Sequence, residues 1–115
     1  HEGVLGELEA QLGRETVALL VDDYAATSDQ LQADIAAARA ADDLEAWTRA
    51  AHSLKSASAN MGLARVFKIA RDIEAAGEAQ EKSTMAALSD RLPGPAMEGV
   101  AALRARYADL SAVAE

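Results

Sequence analysis

Apolar residues recur along this chain at three- and four-residue intervals, and no segment offers the two-residue alternation of a half-buried strand. Val4, Leu5, Leu8 and Leu12 form the first run. Gly13 follows, so the pattern predicts a short helix ended by a residue that tolerates left-handed backbone. A longer helix is predicted from about Arg14 to Ala41. Val17, Leu20, Val21, Tyr24, Ser28, Leu31, Ile35 and Ala38 keep one face apolar, while Asp22, Asp23, Asp29 and Asp34 fall mainly outside it. Asp42 and Asp43 interrupt the Ala-rich stretch, and either can accept a hydrogen bond from the unpaired N–H groups that open the next helix.

That third helix is expected from about Asp43 to Met61, with Gly62 just past its end. Leu63, Val66, Ala70 and Ile73, with Phe67 and Ile69 beside the seam, predict a fourth helix fading near Gly77. Ser83 or Thr84 can start a fifth, with Met85, Leu88 and Leu92 on one face. Met97, Val100, Leu103, Tyr107 and Leu110 continue a similar spacing beyond Pro93-Gly94-Pro95. Proline lacks a donor and disfavours helical backbone in the residue before it, so two roughly collinear pieces are expected there. Amphipathic helices on short links bury their stripes best in an all-α, antiparallel up-and-down four-helix bundle. The short N-terminal helix should cap one end, and residues 1–115 should form a single unit, since no repeat or low-complexity linker divides them.

Composition agrees: 29 Ala and 13 Leu stand against few aromatic and β-branched residues. The absence of cysteine excludes a thiol nucleophile, a disulfide and an iron–sulfur centre, and it fits a reducing, cytoplasmic setting. The longest apolar runs are far short of the roughly 20 residues that cross a bilayer, so no membrane association is expected. No role is assigned to His1. Overall the chain is acidic, with a formal charge of −8. Residues 46–71 depart from this, holding Arg49, Lys55, Arg65, Lys68 and Arg71 and no carboxylate. Such a local positive stretch suits an acidic partner, and it is too narrow for duplex DNA, so no nucleic-acid partner is expected.

Within this stretch Leu44, Trp47, Ala51, Leu54, Ser58 and Met61 fall on one side of the third helix, and Trp47 reads as a core anchor. His52 points roughly 130° from the centre of that stripe by the helical step, so it should be largely exposed. Thr48, Lys55, Ser56 and Ala59 surround it at helical offsets. Metal binding would need further ligands, and no His, Asp or Glu lies at 48, 49, 55, 56 or 59. General acid–base catalysis would need a pocket and an orienting carboxylate, neither of which this helix supplies. Two readings stay open, a surface histidine without a role and a nucleophile whose imidazole nitrogen attacks a phosphoryl group beside the Lys55 cation.

The run from His52 to Gly62, preceded by Ala50-Ala51, resembles the signature of the histidine phosphotransfer (HPt) domains of bacterial phosphorelays: Ala-His-x-Leu-Lys-Gly-Ser/Ala, then a second Gly and an Asn-x-Gly end. The likeness extends to Ile69–Glu74, which is similar to the family's Leu-x-x-x-Leu-Glu ending, and helix order agrees over nearly the whole chain. Ser56 and Ala59 stand where the family often has Gly; both are still small. The resemblance implies that His52 accepts a phosphoryl group through Nε2 from an aspartyl phosphate on one receiver domain and passes it to an Asp on another. It implies that Lys55 stabilises the phosphate, that the small Ser56 and Ala59 still allow docking, and that the chain needs no cofactor of its own. Thr48 by its place beside His52, and Arg49, Arg65 and Lys68 by their charge, are the further candidates to meet the receiver, with plain decoration of the outer helix face as the alternative for Arg65 and Lys68. Mg²⁺ would belong to the receiver's acidic pocket, and a monomer is expected.

Other readings differ in class. A histidine-kinase dimerisation hairpin has an acidic residue after its His and a Pro soon after, whereas Ser53 follows here and no Pro precedes position 93. An N-terminal phosphoacceptor module of a larger chemotaxis-type or hybrid kinase also fits, as does a phosphotransfer-inactive adaptor, although His52 and Lys55 argue against the latter.

Overall fold

In a computed structural model the chain is helical throughout the residues the structure describes, 2–110. His1 and residues 111–115, the two ends of the unit expected above, lie outside them. Among the described residues the helices with both ends defined are, in order, α1 (Glu2–Leu12), α2 (Arg14–Ala40), α3 (Leu44–Asn60), α4 (Ala64–Glu78), α5 (Lys82–Asp90) and α6 (Pro93–Arg106). α2, α3, α4 and the α5–α6 pair form the antiparallel four-helix bundle. α3 lies between α2 and α4, α5 packs on α4, and α6 returns to α2.

The turns explain the boundaries. Gly13 sits at φ 86, a backbone that favours glycine, and separates α1 from α2. The Asp43 carboxylate accepts from Ala46 N at 3.0 Å and so caps α3. At its other end Gly62 has φ 72, Leu63 N–H donates to Ser58 O at 3.0 Å and Gly62 N–H to Ala59 O at 3.1 Å, the paired bonds of a left-handed helix stop. The same stop closes α2 at Asp42 and α4 at Gln80, both at φ 58 and neither a glycine. α4 therefore does not fade at Gly77, which is buried inside it; Gln80 ends it, with Glu81 N–H donating to Ala76 O at 2.8 Å.

Between α5 and α6 both Arg91 and Leu92 keep right-handed helical backbone, so Pro93 opens α6 at a kink rather than across a loop. The expected inner face of α6 is out of phase by one residue at its start. Leu92, Ala96, Leu103 and Tyr107 are buried, whereas Met97 is 72% exposed. The helix that begins at Pro93 takes its phase from buried Leu92, and steps of three and four from there reach 96, 103 and 107 but pass 97.

Two apolar clusters fill the bundle, with Leu63 touching both. The larger joins Ile35, Trp47, Ala51, Leu54, Val66, Ala70, Ile73, Met85 and Leu92. Trp47 is fully buried and donates its indole N–H to Ser89 Oγ at 3.0 Å, satisfying the one polar atom it carries into the core. The smaller cluster sets Leu5 of α1 against Val17, Val21, Tyr24, Met61, Leu103 and Tyr107, so α1 caps this end. No helix among the described residues is long and apolar enough to cross a membrane.

Candidate functional site

His52 sits midway along α3 with its side chain 57% exposed. α3 is fixed beneath it by Ala51 and Leu54, both fully buried, so the imidazole is presented by a rigid surface. α4 runs antiparallel beside α3 and turns Ile73, Ala70 and Val66 into the core, which brings Glu74 to the rim of the seam. One Glu74 oxygen, Oε2, meets His52 Nδ1 at 2.6 Å, and the other, Oε1, accepts from Lys55 Nζ at 2.6 Å. A single carboxylate thus holds both residues singled out on α3.

Glu74 is mostly shielded, 15% exposed, and its carboxyl is held below the ordinary carboxylate range. The Lys55 ammonium is the main cause and the His52 hydrogen bond adds to it, together outweighing the opposing effect of burial. An ionised carboxylate can only accept, so Nδ1 of the neutral ring must carry the proton. The lone pair then lies on Nε2. The orienting carboxylate that α3 lacks is supplied from α4, 22 residues away, and this corrects the expectation that His52 stands without one. Its signal was present in the Leu-x-x-x-Leu-Glu resemblance ending at Glu74; helical offsets along α3 alone could not reveal it.

The remaining expected site residues are distributed around His52. Ser56 and Ala59 are exposed further along α3, and Lys68 is exposed on α4 with no ion-pair partner among the described residues. Thr48 is half-buried beside the α3–α4 seam, its Oγ1 donating to Leu44 O at 2.7 Å. Arg49 pairs with Glu45 at 3.2 Å and Arg65 with Glu98 at 2.8 Å. Arg71 lies 3.2 Å from Asp72. The positive stretch read along the chain is therefore largely offset in space: Glu45, Glu74, Glu98 and Asp72, all outside residues 46–71 or at their edge, accompany four of its five cations. Beside His52 an open groove of about 730 Å³ is lined by Leu44, Thr48, Arg49, Glu74, Gly77 and Gln80. No group of three or more His, Asp or Glu among the described residues is arranged to hold a metal ion.

The sequence matches the family model of the Hpt domain over residues 19–113. The chain belongs to the Hpt domain family. No curated protein and no solved structure matches it significantly. Histidine phosphotransfer is the general activity of Hpt domains, which interact with receiver domains in phosphorelays. The match begins within α2, so α1 and Gly13 lie ahead of it.

Proposed function

We propose that this Hpt domain relays a phosphoryl group between aspartates of receiver domains through Nε2 of His52. The observation that carries the reading is the Glu74 carboxylate on Nδ1, which leaves the nucleophilic lone pair on Nε2 of an exposed ring. In the forward step the Nε2 lone pair attacks the phosphorus of an aspartyl phosphate, the bond from phosphorus to the acyl oxygen breaks, and the receiver's carboxylate leaves with that electron pair. His52 becomes a phosphorylated imidazolium still bearing its Nδ1 proton, and Glu74 balances the new positive charge. The reverse step on a second receiver returns the neutral ring. Transfer of this kind needs positioning and charge stabilisation more than covalent machinery, which suits a small rigid bundle.

Lys55 acts in this scheme through Glu74, keeping that carboxylate ionised, and the N–H donors that Glu74 does not take serve the phosphate oxygens. Ser56, Ala59 and Lys68, with Arg49 and Arg65 at the rim, form the surface a receiver meets, and Thr48 supports it from the seam. Mg²⁺ is held by the receiver, and the domain works as a monomer in the cytoplasm.

Incubation with a phosphorylated receiver domain tests the reading. Label should reach this protein as an acid-labile, base-stable phosphate, and none should appear in His52→Gln. Phosphate retained in that variant would refute the assignment of His52, and failure of the folded wild-type domain with a broad panel of receivers would favour the phosphotransfer-inactive adaptor.

A further inference from the structure

Gly77 lies one turn beyond Glu74 on α4, and it is buried against Thr48, one turn before His52 on α3. A Cβ at position 77 would stand 1.9 Å from Thr48 Oγ1, 2.9 Å from Thr48 Cβ and 3.1 Å from Met85 Cε. Neither Thr48 atom can yield cheaply. Its Oγ1 is engaged by Leu44 O at 2.7 Å, and Cβ is fixed to the α3 backbone whatever the rotamer. Gly6, Gly13 and Gly94 have nothing within 4 Å of such an atom, and at Gly99 the nearest neighbour is a flexible Leu63 methyl at 3.1 Å. Gly77 alone among these five is filled by a neighbour's side chain where its own would be. The left-handed stop of α4 falls at Gln80, so glycine is not required at 77 to end the helix.

We propose that the Gly77–Thr48 contact is the spacer that sets the α3–α4 separation at the site, so that both are positioning residues for His52, acting through Glu74. The inference rests on the reading of His52 as the phosphoacceptor. The lever is short. Glu74 and Gly77 share one face of α4, as Thr48 and His52 share one face of α3, and the helices cannot part at one rung without parting at the next. Making room for a methyl at 77 requires a displacement of about 1 Å, which carries a 2.6 Å contact out of hydrogen-bonding range. His52 Nδ1 then loses its fixed acceptor, the neutral ring redistributes its proton between the two nitrogens, and the fraction with a free Nε2 lone pair falls.

The test reads the tautomer and the transfer rate separately. In ¹⁵N-labelled wild-type protein the ring-nitrogen shifts of neutral His52 should report Nδ1–H. Gly77→Ala should give a mixture of tautomers and slow phosphate uptake about 10-fold, the lower end of what loss of an orienting partner costs. Thr48→Ala placed on Gly77→Ala removes the 1.9 Å overlap and should restore part of both. Thr48→Ile enlarges the other side of the contact without altering α4, and it should shift the tautomer in the same direction even if Gly77→Ala does not fold. An unchanged tautomer in both folded variants overturns the spacer, as does a more stable Gly77→Ala with wild-type shifts, the outcome expected of a helix glycine under no constraint. Absence of transfer in the wild type together with a shifted tautomer in the variants would overturn the phosphoacceptor reading and leave the spacer standing.

Discussion

At the His52 face two helices are joined by one carboxylate serving a lysine and an imidazole, whereas at the α1-capped end a denser charged cluster ties three segments. There Glu9 of α1 accepts from Arg106 Nε at 2.8 Å and from the Tyr107 hydroxyl at 2.6 Å. Arg14 at the start of α2 grips Asp109 with two bonds of 2.7 and 2.9 Å and donates to Arg106 O at 2.8 Å. Arg14 and Arg106 also lie over the Tyr107 ring, 5.3 and 5.9 Å from its centre. Both regions lower a glutamate by ion pairing, Glu9 chiefly through Arg106 and Glu74 chiefly through Lys55. The difference lies in what is left over. The capped end consumes its polar groups among themselves and anchors a helix that lies ahead of the family match, while the His52 face leaves an imidazole more than half exposed.

Substitutions in the two regions should therefore separate transfer from stability. The largest effect is His52→Gln, which should abolish phosphate uptake while thermal melting stays within about 0.5 kcal/mol of the wild type, as for other exposed substitutions. A melting shift of several degrees would mean that His52 also holds the bundle together. Glu74→Ala should slow uptake by about 10–100-fold, the usual cost of losing the partner that orients a functional imidazole. Equal rates in the variant and the wild type would show that exposure alone equips His52.

In the capped end the signs reverse. Leu5→Ala empties part of the small cluster and should remove about 2–3 kcal/mol of stability with phosphate uptake unchanged; a parallel loss of uptake would couple α1 to the site. The smallest effect is electrostatic. A carboxyl whose folded value is depressed contributes stability that is fully present above its unfolded value and lost as pH falls through the folded one. With the ordinary glutamate value at 4.5, melting temperature should decline below about that pH. Melting curves between pH 5 and 3 should show the decline flattened in Glu74→Gln and again in Glu9→Gln, and flattened in both by added salt; a slope untouched by either change would place the acid response elsewhere.

Helix stripes were legible because burial of one face imposes its period on the letters: the spacing selects most of the buried residues of α2 and α3, but it passes over Ala25 and Ala50, and Leu20, Leu31 and Leu44 are only half-buried. Helix boundaries were legible where the chemistry is local, as at Asp43 and Gly62, and illegible at Gln80, where a side chain without special preference takes left-handed backbone. Phase after the kink at Pro93 was also hidden, since the register of α6 follows from the buried Leu92 beneath it rather than from its own apolar letters.

The site divides along the same line. The sequence by itself determined that His52 stands off the apolar stripe of α3 with small neighbours and a lysine one turn away, because those relations need only the geometry of one helix. Tertiary structure decided the rest: that Lys55 is paired with Glu74, that the same carboxylate fixes the imidazole proton, that most cations of a positive stretch are met by carboxylates from elsewhere, and that Gly77 brings the helices close enough for this. Each is a contact between residues distant in sequence, and such contacts follow from the antiparallel register of α3 and α4, which is set only when both helices are seated on a common core.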